Sequence, residues 1–154
     1  MERITYKDVP AGLTQVMLQV QHYVDNSGLD LKLLELLRFR ISQINSCAYC
    51  LDMHYKEALD AGENPLRLIS LSAWRETPYY TPKEEAVLAF AETLTKLPPD
   101  ERSDNIHDEL NKYFSKQEIA NLMIAVIAIN SWNRLTCSFG PVPGKYKIKA
   151  AEAA

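Results

Sequence analysis

The stretch KQEIANLMIAVIAINSWNRLTC, Lys116 to Cys137, is apolar nearly all round its middle. A helix of that kind must be covered on every side, either by its own chain or by a neighbouring subunit. Ser115, with Glu118 three residues later, forms a capping-box pattern that starts it.

Upstream, the sequence also reads as helix almost throughout. Leu13, Val16, Met17, Val20 and Val24 fall at helical spacing before the Asn26-Ser27-Gly28 stop. Asp30 is a good N-cap for LKLLELLRFRISQI, in which Leu34, Leu37, Ile41 and Ile44 make one apolar face. Asn45-Ser46 breaks that helix, and a third is expected from about Cys47 to Ala61, stopped by Gly62. A short helix follows from Pro65 to about Trp74, and Thr81-Pro82 opens KEEAVLAFAETLTKL. LPPDERSD reads as a loop, Ile106 to Phe114 as a shorter helix, and KYKIKAAEAA as a tail loose from about residue 145. The expectation is one all-α domain over 1–154, with six to seven helices.

The 154 residues suffice for a self-sufficient core, and 47% hydrophobic with 24% charged residues excludes a disordered chain. The net charge of −3 comes with no basic arm or stripe, so nucleic acid is not an expected partner. MERITYKDVP lacks the apolar core of a signal peptide. The longest apolar-rich run, Ile119 to Ile129, falls well short of the roughly 20 residues that span a bilayer. These features predict a cytoplasmic protein without membrane partners. In that compartment a CxxC pair points to redox or metal chemistry rather than a permanent structural disulfide.

The pair lies in SQINSCAYCLDMH, Ser42 to His54. A helix beginning at Cys47 puts that thiol where free N–H groups and the dipole favour a thiolate. Cys50 and His54 follow on the same face, with the imidazole one turn beyond the second sulfur. A base there can take the thiol proton. On the preceding helix Glu35, Arg38 and Ser42 form a polar stripe that could meet the cysteines if the Asn45-Ser46 turn folds the two helices together. Structural zinc normally needs four ligands, whereas only one Cys pair occurs and Cys137, His22 and His107 are isolated. A pair of inert core thiols is the other plain alternative. Neither explains the histidine one turn after the second thiol. The helix dipole favours Cys47 as nucleophile and the histidine favours Cys50. A direct hydrogen-bonded base acts more strongly than a partial helix charge, so Cys50 is the expected attacking thiol.

Taken together, ELLRFRISQINSCAYCLDMH resembles the core motif, residues 35 to 54, of the alkylhydroperoxidase D-like group in the carboxymuconolactone decarboxylase superfamily. The pattern is a Glu twelve residues before a CxxC and a His four residues after its second Cys, met here by Glu35, Cys47, Cys50 and His54. WRETPYYTPKEEAVLAFAETLTKLP and INSWNRL are similar to the group's later helices. The resemblance implies an all-α fold assembled as homotrimers or homohexamers. It implies a thiol peroxidase with no bound metal or other cofactor. Cys50 would attack a small-molecule hydroperoxide and become a sulfenic acid, and Cys47 would resolve it as a disulfide. Glu35 and His54 would relay protons, and an external dithiol, lipoyl-type or carried by a reducing protein, would regenerate the pair. Tyr49 departs from the group, whose best-characterised members have a histidine between the cysteines. Its hydroxyl can still hold a water, so Tyr49 and Ser42 are auxiliary candidates. The alternative is a dithiol–disulfide oxidoreductase or redox sensor without substantial peroxide turnover.

Other residues carry plainer expectations. Cys137 is expected in the core or an interface, and Trp74 and Trp132 as packing anchors. Asn133 and Arg134 read as surface polarity or as holding a neighbouring subunit or a helix end, His22 and His107 as exposed or locally satisfied. Lys83, Glu84, Glu92 and Lys96 read as a solvated helix face.

Overall fold

The computed structural model describes residues 2–5, 7–98 and 104–148. Among these residues there are seven α-helices, one 3-10 helix and no strand: α1 Leu13–Asp25, α2 Leu31–Ile44, α3 Ala48–Asp60, α4 Pro65–Ser70, the 3-10 helix Leu71–Glu76, α5 Pro82–Lys96, α6 Asp104–Asn111 and α7 Lys116–Phe139. Most of the loop expected at LPPDERSD lies outside the described residues.

The helix starts follow from their caps. Asp30 accepts the Leu33 amide at 3.0 Å, and Asn64 accepts that of Leu66 at 2.8 Å ahead of Pro65. Ser115 and Glu118 form the expected capping box, and Thr81 with Glu84 forms a second. The fourth helix is shorter than its sequence suggests. The chain kinks at Ala73 and continues beyond Ser70 as 3-10 helix, which turns Leu71 and Trp74 into the core.

Within the single chain the helix covered on nearly all sides is α2 rather than α7. Leu33, Leu34, Leu37 and Ile41 join α5, α6 and α7 in one apolar cluster. Leu36 and Phe39, on the opposite side, join Ala58, Leu68, Leu71 and Trp74 in a second. The α2 polar stripe, Glu35, Arg38 and Ser42, is buried as well. Helix α7 buries Ile119, Leu122, Val126 and Ile129 but leaves Met123 45% and Ile127 48% exposed in the single chain. Of the two covers expected for α7, its own chain supplies only part, and these residues are left to a neighbouring subunit.

Two further expectations are corrected by packing. Glu92 is 6% exposed, not solvated. Its carboxylate accepts from Arg40 Nε at 2.7 Å, Trp74 Nε1 at 3.0 Å and Arg75 at 2.7 Å. A carboxylate can sit there because it is fully paired. Glu84, half-buried, is paired with Arg67 from α4. Cys137 is exposed in the single chain, on the last turns of α7, so of the two places expected for it the core is ruled out and an interface is left.

Replacing Glu92 by Ala should leave Arg40 and the Trp74 N–H without their acceptor. We expect a loss of about 3 kcal/mol of unfolding free energy, read as a lower urea midpoint with an unchanged slope.

Candidate active site

The turn between α2 and α3 is built to bring two helices face to face within three residues. Ser46 adopts the left-handed conformation, φ 53°, just past the end of α2. The Ser46 amide then donates to Gln43 O at 3.1 Å and the Cys47 amide to Ser42 O at 3.0 Å, satisfying the last carbonyls of α2. This places Cys47 at the N-cap of α3, where its side chain makes no capping hydrogen bond. Cys47 and Cys50 are joined as a disulfide across that first turn, with Cα atoms 5.3 Å apart. Both are buried.

The polar stripe of α2 does meet this turn. Glu35, 1% exposed, presents one oxygen to Arg38 at 2.7 Å and the other to His54 Nδ1 at 2.9 Å. Arg38 reaches on to Asp25 of α1. His54 Nδ1 also lies 3.1 Å from Oε2 of Glu57, whose second oxygen accepts the Tyr146 hydroxyl at 2.6 Å. A continuous chain of charges and hydrogen bonds thus runs Asp25–Arg38–Glu35–His54–Glu57–Tyr146. Because two carboxylates face Nδ1, that nitrogen carries a proton, which assigns Nε2 as the position that gains or loses one. Nε2 is buried and has no hydrogen-bond partner among the described residues.

Burial alone would push the His54 imidazole down. The hydrogen bonds and charges of Glu35 and Glu57 outweigh it and hold His54 above the ordinary histidine value. Glu57 responds in the opposite sense. Burial raises it, but hydrogen bonds from His54 and Tyr146, helped by the charges of His54 and Arg38, bring it below the usual glutamate value. Glu35, His54 and Glu57 each offer one ligand atom within 4.8 Å of the others. The other carboxylate oxygens are already taken by Arg38 and Tyr146, so we read the cluster as a proton network and assign none of the three as a metal ligand.

Cys50, but not Cys47, lines a cavity of about 580 Å³. His54, Glu35, Glu57 and Tyr49 line it too, facing an apolar wall that includes Leu13, Leu31, Met53, Trp132, Leu135 and Phe139. Trp132, expected only as a packing anchor, is thus part of the cavity wall. Trp74 does pack in the core, with its N–H on Glu92.

Ser42, an auxiliary candidate, lies away from the cavity wall. Its hydroxyl accepts from Asn133 at 3.1 Å, and Asn133 accepts from Asn45 at 2.9 Å. Asn133 is therefore a buried brace on Asn45, the C-cap of α2, which is the helix-end alternative rather than surface polarity. The segment from residue 145 is not loose as far as 148, since Tyr146 packs onto α3; later residues lie outside the described ones. His22 and His107 are exposed, as expected.

Sequence reasoning missed Asp25, Glu57 and Tyr146. Glu57 had a signal, three residues after His54 on one helix. Tyr146 had none, because the contact spans 89 residues.

Fold and site together define a helical protein with a buried redox-capable CxxC pair opening on an apolar cavity. Residues 8–93 match the carboxymuconolactone decarboxylase family. An uncharacterised Bacillus subtilis protein, YdfG, is 30% identical over 139 residues, covering 90% of this chain and 95% of its own. A crystal structure of an Agrobacterium tumefaciens protein of unknown function, a candidate antioxidant defence protein of the AhpD type, superposes with a TM-score of 0.87 at 32% identity. That superposition covers 97% of this chain and 100% of the other. The debrominase Bmp8 shares the fold at TM-score 0.75 and 18% identity, over 86% of this chain and 72% of its own. The chain belongs to the carboxymuconolactone decarboxylase family and is AhpD-like in fold.

The charge network should shape stability against pH. The raised His54 pKa contributes stability that is complete below the ordinary value of 6.5 and lost as pH rises through the folded value. The depressed Glu57 pKa contributes stability that is complete above 4.5 and lost as pH falls through its folded value. Unfolding free energy should therefore be highest between these limits, and His54→Gln should flatten the alkaline fall in a urea series across pH.

Proposed function

We propose that this protein is a thiol-dependent peroxidase working through a Cys50/Cys47 cycle. The observation that carries this reading is the asymmetry of the pair: Cys50 lines the same cavity as His54, whose Nε2 has no hydrogen-bond partner among the described residues, whereas Cys47 does not line it.

In the reduced protein, Nε2 of His54 takes the Cys50 proton, leaving a thiolate beside an imidazolium that Glu35 and Glu57 stabilise. The Cys50 thiolate attacks the outer oxygen of a hydroperoxide, the O–O bond breaks, and His54 returns its proton to the departing alkoxide. Cys50 is oxidised to the sulfenic acid and the hydroperoxide reduced to an alcohol. Cys47 then attacks the Cys50 sulfur, water leaves, and the Cys47–Cys50 disulfide forms. An external dithiol, lipoyl-type or protein-borne, reduces it by exchange. The apolar wall suits an organic hydroperoxide. Tyr49 stands on the same wall and can orient a water or the peroxide oxygen. We place the cycle in the cytoplasm, where such reductants operate. No helix among the described residues is long and apolar enough to cross a membrane. We assign a homotrimeric or homohexameric assembly, in which Met123 and Ile127 would find cover.

One equivalent of hydroperoxide with a sulfenic-acid trap should label Cys50 in Cys47→Ser and label Cys47 in Cys50→Ser far less. Glu35→Gln should lower kcat/KM by about 10². Strong labelling of Cys47 alone would overturn the direction of the cycle. Oxidation only by a partner disulfide, with no peroxide turnover, would favour a dithiol–disulfide exchange protein.

A further inference from the structure

We propose that Glu57 and Tyr146 are positioning residues for His54, so that the strap after α7 holds the catalytic imidazole in place. The inference rests on the peroxidase reading for its purpose but on separate geometry for its support.

The two carboxylates on His54 Nδ1 differ in how they are held. Glu35 is buried, and its second oxygen is fixed by Arg38. The Glu57 side chain is 30% exposed, at the edge of the cavity. Its second oxygen is held by the Tyr146 hydroxyl at 2.6 Å. Without that donor a partly exposed glutamate is free to turn to water, since solvent competes for it at little cost.

Tyr146 is itself fastened. Its carbonyl accepts from Lys56 Nζ at 3.1 Å, and Lys56 pairs with Asp52 at 2.8 Å. Asp52 also accepts the Gly144 amide at 3.0 Å. Gly144 has φ +91°, a conformation that favours glycine and lets the strap bend down there. Asp52, Lys56 and Glu57 thus tie the strap to α3, the helix that carries Cys50 and His54. The Tyr146 ring lines the same cavity as Cys50. The strap covers the site and completes its hydrogen-bond chain through one residue.

The consequence lies in the charge around His54. The groups that bear on it directly are Glu35 of α2 and Glu57 of α3; Arg38 and Tyr146 act through those two carboxylates, and Asp25, Tyr49 and Cys50 line the same cavity. Of these, Glu57 is the carboxylate whose placement depends on the strap. Held in place, its negative charge favours the imidazolium; released, that support is lost.

The test is the His54 titration followed by NMR in the oxidised protein, where the paired cysteines do not titrate. Glu57→Gln is nearly isosteric and should lower the midpoint by about 1 pH unit. Tyr146→Phe keeps the ring and loses only the hydroxyl; it should move the midpoint in the same direction by a smaller step. In the reduced protein both variants should shift the pH profile of Cys50 alkylation, which a purely structural role would not do. An unchanged or raised midpoint in Tyr146→Phe overturns the inference. Because this readout needs no peroxide, lowered midpoints in a protein without peroxidase turnover would support the inference and overturn the peroxidase reading.

Discussion

The buried carboxylate of Glu35 organises the molecule. A charge in the middle of a helical core is tolerated only when its hydrogen-bond capacity is filled, and Glu35 fills it from two directions. Arg38 supplies the charge from the same helix, and His54 supplies a ring nitrogen from the next. Satisfying one residue therefore dictates the α2–α3 docking angle, buries α2 on its polar side as well as its apolar ones, and orients the imidazole. The short left-handed turn at Ser46 is what allows the two helices to meet so close to their junction.

That arrangement makes the two chemically identical thiols unequal. Cys47 sits at the helix N-terminus, where unpaired amides and the dipole act on it. Cys50 sits one turn along, on the cavity wall and on the helix face of His54. Cys50 shares the cavity with His54, while Cys47 is close enough to close a disulfide. An attacking and a resolving sulfur need that division of position, and it arises from the three-residue spacing on one helix turn.

Much of this was legible in the residues. The caps at Asp30 and Ser115, the break at Asn45-Ser46, and the set Glu35, Cys47, Cys50 and His54 are encoded by local spacing, and local spacing is what a helix converts directly into geometry. What was not legible depends on contacts between distant segments. Glu92 looks like any surface glutamate until Arg40, Arg75 and Trp74 close around it. Asn133 reads as polar surface as readily as a helix-end contact until it bonds Ser42 across the turn. Tyr146 reads as tail until its hydroxyl meets Glu57. The apolar pattern of α7 left its cover open for the same reason: periodicity gives the face of a helix but not the neighbours that cover it. In each case a polar group was sorted by its sequence surroundings, whereas burial was decided by partners far along the chain.

The central claim is that geometry has made Cys50 the reactive thiol, and alkylation of the fully reduced protein across pH tests it most directly. With the two cysteines resolved by mass spectrometry, Cys50 should react first, with an apparent pKa well below the free-cysteine value of about 8.5. Preferential reaction at Cys47, or reaction of both thiols near the free-cysteine value, would contradict the account.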